Sequence, residues 1–286
     1  MRSAELQSFV VAHRSAIVAE LIGVRGSSPR EAGAFMVVAA DALIGTIGGG
    51  ALEYRVTARA RQALRDGIEP GGLDVPLGPE IGQCCGGRVE VALRVMTPAQ
   101  SAELVARLKG LEARLPHVYL FGSGHVGKAL ARALAALPLN VHVIDTRPDE
   151  LRDLPPGVNG RAVAMPEAVV RAAPQGSAYA ILTHDHALDF LIAAEALKRT
   201  DSPYVGMVGS KTKRARFSSW YLSEGGDREA LRRLVLPIGS FGLVDKRPEV
   251  IAALAAAEIM VHIGRREVIE ERAAPETKFA LGADVD

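Results

Sequence analysis

Residues 121–130 read FGSGHVGKAL, a GxGxxG pattern placed behind the apolar run His117 to Phe121 and ahead of a helical stretch. In that setting each glycine has its own task. Gly122 makes the tight turn, Gly124 lets a phosphate come close to the backbone, and Gly127 lets the helix pack on the strand, with His125 at the helix start. The next strand, Asn140 to Asp145, ends 18 residues after Gly127 in a carboxylate placed to accept hydrogen bonds from a ribose 2′-hydroxyl. Strand-like segments at Arg161 to Ala164, Ser177 to Leu182 and Tyr204 to Val208 alternate with helical stretches. That order predicts βαβ units and a Rossmann-like, doubly wound parallel sheet. The glycines equally suit a bare strand-to-helix turn, and a nucleotide-like fold does not by itself prove a nucleotide.

Upstream the pattern is different. Ala16 to Val24 reads as a strand that ends in a polar loop, Arg25 to Gly33. Ala34 to Ala40 and Leu43 to Thr46 form a hairpin that delivers the chain into Gly48, Gly49 and Gly50. Leu52, Val56, Ala60, Ala63 and Leu64 then recur at helical spacing up to Gly67, and Val89 to Val95 alternates as a half-buried strand does. The expected organisation is a small α/β domain over 1–97, a connecting helix and linker over 98–116, the Rossmann-like domain over 117–269 and a tail over 270–286. The fold class is α/β throughout.

Of 286 residues, 48% are hydrophobic and 23% charged, enough for two cores. A formal net charge of +1 gives no field to attract nucleic acid or a membrane surface. The amino terminus lacks the apolar core of a signal peptide, and no run approaches the roughly 18 apolar residues of a membrane span. A cytoplasmic location is expected. The two cysteines are adjacent, Cys84 and Cys85, inside GPEIGQCCGG at 78–87. Neighbouring Cα atoms stand ~3.8 Å apart, short of the ~4.4 Å that a relaxed disulfide needs, so these sulfurs are either buried filler or reactive thiols. Gly86 and Gly87 leave room for a ligand to approach.

Two further groups can carry chemistry. In GTIGGG, 45–50, consecutive N–H groups ahead of a helix can form an anion nest suited to phosphate, although a triple glycine is also a simple turn. Arg25 and Arg30 offer charge-assisted donors to a phosphate or a pterin carbonyl. At 183–186 the run THDH lies at the carboxyl end of a parallel strand, where doubly wound sheets place ligands. Two imidazoles and one carboxylate do not complete a metal set, so His184 is expected to line a ligand, with Asp185 or Thr183 as a helix cap the competing role. Lys211, after the cap candidate Ser210, fits either a phosphate contact or a solvated basic face.

Together these stretches resemble one family, the XdhC/CoxI-type accessory proteins of xanthine dehydrogenase. The likeness runs through GSSPREAGAFMVV (26–38), GTIGGGALE (45–53), GQCCGG (82–87), FGSGHVGKAL (121–130), IDTRP (144–148), THDHALD (183–189), YVGMVGSKTKR (204–214), and PIG (237–239) with KRPEVIAA (246–253). Ser240 to Asp245 departs from the family form and receives no contact.

The resemblance implies a molybdenum cofactor chaperone, not itself an enzyme. It would bind the molybdopterin form, protect it, support its sulfuration and insert it into apo xanthine dehydrogenase, with a cysteine desulfurase as sulfur source. A homodimer is expected only by association with multimeric acceptor enzymes. The cofactor-binding set would be Arg25, Arg30, Gly48, Gly49, Gly50, Cys85, Gly86, Gly87, Gly122, Gly124, His125, Gly127, Asp145 and His184. Cys85 would ligate molybdenum or relay sulfur, with Cys84 its buried neighbour. The rival is an NAD-dependent oxidoreductase using the GxGxxG domain, with His184 as acid/base, which leaves the first ~100 residues unexplained. A scaffold that binds partner subunits through its small domain is the third reading.

Overall fold

The computed structural model describes residues 1–78, 86–243 and 245–273, with side chains through residue 266. The chain divides into two units, Met1–Arg114 and Leu115–Asp286. In the first, β1 (Ala16–Arg25), β2 (Phe35–Ala39), β3 (Leu43–Gly45), β4 (Gly72–Pro76) and β5 (Arg88–Val95) form an antiparallel sheet in the order β3-β2-β1-β5-β4. Side chains alternate between faces along a strand, and in β1 both sets are apolar. Ile17, Ala19 and Leu21 pack with Leu52, Val56 and Ala60 of α2 (Gly50–Asp66). Ala16 and Val18 share a second cluster with Leu6 of α1 (Ser3–Ala12) and with Leu104, Val105 and Leu108 of α3 (Pro98–Glu112). A sheet covered on both faces explains why β1 reads as a mostly apolar run, broken by Glu20. α3, read from sequence as a connector, packs inside the first unit. Thr97 caps it, accepting from the Gln100 N–H, with Pro98 in the first turn.

The second unit is built on six strands: β6 (His117–Phe121), β7 (Asn140–Asp145), β8 (Asn159–Ala162), β9 (Ala178–Ile181), β10 (Val205–Met207) and β11 (Leu234–Val235). Every pairing is parallel and the order is β11-β10-β9-β6-β7-β8. Counted within the unit this is 6-5-4-1-2-3, the Rossmann arrangement. α4 (His125–Ala135) and α8 (Pro248–Ala273) cover one face, through residues such as Leu130, Leu134 and Ile259. α5 (Pro166–Ala172), α6 (His186–Lys198) and α7 (Lys211–Ser223) cover the other, through Val170, Ile192 and Phe217. The expected doubly wound sheet is present. Strand order reverses between β6 and β9, so the crevice at their carboxyl ends is where such a fold receives a ligand. Among the described residues no helix is long and apolar enough to cross a membrane.

Candidate functional site

The loop after β6 separates the duties of its three glycines. Gly122 has φ +110°, and a Cβ there would stand 2.6 Å from the Leu182 carbonyl oxygen. A Cβ at Gly127 would lie 2.0 Å from the Gly122 oxygen, which only a bare Cα permits. At Gly124, by contrast, a Cβ would meet nothing within 4 Å. Two glycines are therefore demanded by packing, and the third faces open space at the amino end of α4. That space is a cleft of about 390 Å³ bordered by Gly124, His125, Lys128, Arg147, Thr183 and His184. The expected residues Gly124, His125 and His184 thus meet at the strand-order reversal. Both histidines are exposed.

Asp145 is placed differently from the ribose-binding expectation. It is 5% exposed, and both carboxylate oxygens are engaged within the protein. Oδ2 accepts from the Ser123 N–H at 2.7 Å and from the Arg147 guanidinium at 3.1 Å, while Oδ1 accepts from Arg147 Nε and the Arg147 N–H, both at 3.0 Å. Burial pushes this carboxyl up, but the Arg147 guanidinium with the two N–H groups outweighs it and holds the carboxyl below its ordinary value. Asp145 braces the glycine loop and presents Arg147 to the cleft. Glu150 balances the rim, 3.5 Å from Arg147 and 3.2 Å from Lys128 Nζ.

Beneath the cleft lies a polar network that the sequence did not announce. Asp189 on α6 is fully buried and pairs with Lys213 of α7, itself 7% exposed. Asp189 Oδ1 also accepts from the Thr183 N–H at 3.1 Å and lies 2.7 Å from Thr183 Oγ1, and Lys213 Nζ donates to the Val208 carbonyl at 2.8 Å. Thr183 and Val208 both line the cleft. The ion pair therefore fixes two of the cleft's walls at once. Asp185 caps α6, accepting from the N–H groups of Ala187 and Leu188. Among the described residues no cluster of three metal-ligating side chains occurs.

In the first unit, Gly48, Gly49 and Gly50 have φ of +132°, +78° and +61°, a run open only to glycine. The anion their loop holds is the protein's own. Glu53 Oε1 accepts from Thr46 Oγ1 at 2.5 Å and from the N–H groups of Ile47 and Gly49, both at 2.9 Å, while the Gly48 N–H donates to Thr46 Oγ1 at 3.2 Å. Burial raises this carboxyl, and the Thr46 hydroxyl and loop N–H groups outweigh burial to hold it low. The phosphate nest expected there is thus occupied by a carboxylate.

The surrounding loops converge. A Cβ on Gly26 would stand 3.2 Å from Gly87 Cα, one on Gly87 would lie 2.1 Å from the Ser27 oxygen, and one on Gly48 would stand 3.4 Å from Pro29. Gly86, with φ +68°, donates its N–H to the Leu77 carbonyl at 2.9 Å. Arg25 is exposed and pairs with Glu90 at 3.0 Å, and Arg30 is exposed. Cys84 and Cys85 lie outside the described residues.

Over residues 118–259 the sequence matches the XdhC Rossmann domain, and over residues 10–70 it matches the XdhC and CoxI family. Among curated proteins it is 27% identical over 256 residues to the uncharacterized protein YqeB of Escherichia coli K12, covering 85% of this chain. The chain spans 42% of that relative's length. A crystal structure described as a xanthine dehydrogenase from Bacillus halodurans superposes with a TM-score of 0.72 at 19% identity, over 96% of this chain and 98% of that one. At that identity the likeness is one of fold.

Proposed function

The chain belongs to the XdhC and CoxI family, and from that premise we propose that it serves xanthine dehydrogenase maturation by carrying molybdenum cofactor to the apoenzyme. The observation that carries this reading is the cleft at the strand-order reversal. There Gly124 leaves the first turn of α4 bare, while His125, Lys128, Arg147 and His184 stand around it. A helix amino terminus with an unobstructed backbone suits a phosphate, and cationic and imidazole groups suit the hydrogen-bonding edge of a pterin. Engagement of Asp145 with Ser123 and Arg147 favours this cargo over NAD, whose ribose needs a carboxylate with capacity to spare.

A soft metal–dithiolene centre calls for a soft partner, and from the family resemblance Cys85 is proposed as the thiolate that ligates molybdenum or relays sulfur. Exchange of an oxo ligand for a sulfido ligand would occur while the cargo is held: a cysteine desulfurase delivers persulfide sulfur, two equivalents of a thiol reductant release it as hydrogen sulfide and are oxidised to a disulfide, and hydrogen sulfide replaces the oxo ligand, which leaves as water. The test is transfer. Apo xanthine dehydrogenase is mixed under anaerobic conditions with cofactor-loaded chain or with free cofactor, and activity is followed. Faster or fuller recovery from the loaded chain, lost in Gly124→Val, supports the proposal. Equal recovery with and without the chain overturns it.

A further inference from the structure

In the first unit α1 and α3 run antiparallel. The Ser3 N–H and hydroxyl donate to the Glu112 carboxylate, which ties the start of α1 to the end of α3. At the other end the Met96 N–H donates to the Ala16 carbonyl at 2.9 Å. Between the helices runs a trough of about 640 Å³. Its α3 wall is Pro98, Ser101, Ala102, Val105, Ala106 and Lys109, spaced i, i+3, i+4, i+7, i+8, i+11, and its α1 wall is Gln7, Val10, Val11 and the following Arg14. Both walls are stripes of the kind that seat against a further helix. At 1.5 Å per residue, Pro98 to Lys109 is about 16 Å, three helical turns.

The charges are one-sided. Arg14 marks the end near Met96 and Pro98, Lys109 marks the end near Gln7, and no carboxylate lines the trough. Neither cation makes an ion pair among the described residues. Two copies of this trough face to face would bring like charges together. We propose that the α1–α3 trough receives an amphipathic helix of a partner protein, about three turns long, with an apolar stripe and an acidic residue near each end, about eleven positions apart. All residues of this docking surface belong to the first unit, and those of the cofactor cleft to the second.

The probe is a fluorescein-labelled helical peptide with Glu at positions 1 and 12, Leu at 4, 5 and 8, and Ala or Gln elsewhere. Its twin carries Lys at 1 and 12. Fluorescence anisotropy with the full chain is expected to show saturable binding of the acidic peptide, at least tenfold tighter than the basic one and weakening from 50 to 500 mM NaCl. Arg14→Glu/Lys109→Glu is expected to invert that preference, and Val11→Asp to abolish binding of both. Val11 is 83% exposed, so its replacement leaves the core intact, which circular dichroism checks. Three results overturn the proposal. One is binding of neither peptide. Another is equal binding of both with no response to the charge reversal. The third is a dimer in sedimentation that Val11→Asp converts to monomer, which would make a second copy the occupant.

Discussion

Lys213→Met tests whether the buried ion pair holds the cleft. Asp189 is fully buried, so removing its cationic partner strands a carboxylate that retains only the Thr183 donors. Breaking a buried pair in this way costs about 3–5 kcal/mol. In a unit of this size each kcal/mol moves the melting temperature by about 2–4 °C, so a fall of roughly 6–20 °C is expected. Trp220, the chain's one tryptophan, lies on α7 with Lys213, so its fluorescence reports unfolding of the second unit alone. The double variant Asp189→Asn/Lys213→Met removes both charges and is expected to melt closer to the parent than either single variant, a coupling of about 2 kcal/mol or more. If Lys213→Met melts within 1 kcal/mol of the parent, or the two costs simply add, the pair is not the brace described.

Other perturbations separate local packing from ligand access. Gly127→Ala drives a Cβ to 2.0 Å from the Gly122 oxygen and is expected to lower stability by about 1–3 kcal/mol in urea unfolding. A Cβ at Gly124 meets nothing within 4 Å, so Gly124→Val is expected to keep the parent's stability while losing cargo; a normal binding curve for it would make the motif purely structural. His142 Nε2 lies 3.0 Å from His117 Nδ1 and its ring stacks 4.5 Å from Tyr119; burial and the neighbouring imidazole push its pKa down to about 4. The unfolded chain takes that proton near the ordinary 6.5, so this contribution to stability is present above 6.5 and is lost as pH falls from 6.5 towards 4. Denaturation curves for His142→Phe, which keeps the stack, are expected to be flatter across that window. Cys85→Ala is expected to reduce molybdenum retention or sulfuration more than Cys84→Ala, as metal analysis and sulfide release would show; equal and negligible losses would remove the thiol from the mechanism.

The ends of β6 and β7 were legible to the residue, because strands buried on both faces write their limits as apolar runs. β8 begins at Asn159, earlier than the expected Arg161, since all four of its residues are exposed and no apolar pattern marks it. β4 and α1 carry no clear pattern for a related reason: β4 buries only Val75, and α1 buries only Ser3 and Leu6. At the site, the duties of Gly122 and Gly127 are local sterics and were readable. Asp189 and Lys213 lie on two helices, 24 positions apart in sequence, a separation that no periodicity reports, whereas the exposed Lys211 stands out beside its capping serine. Glu53 closes the GTIGGGALE motif, yet its filling of the GTIGGG loop depends on the turn folding α2 back over Thr46.

The proposed occupant of the cleft is molybdenum cofactor and not a nicotinamide nucleotide. Anaerobic incubation with the cofactor, followed by gel filtration and by metal analysis with pterin fluorescence on the protein fraction, tests this, with NAD titrated in parallel. Stoichiometric molybdenum and pterin on the chain with no NAD binding is the predicted result. Saturable NAD binding with no pterin retained would contradict it and return the chain to the oxidoreductase reading.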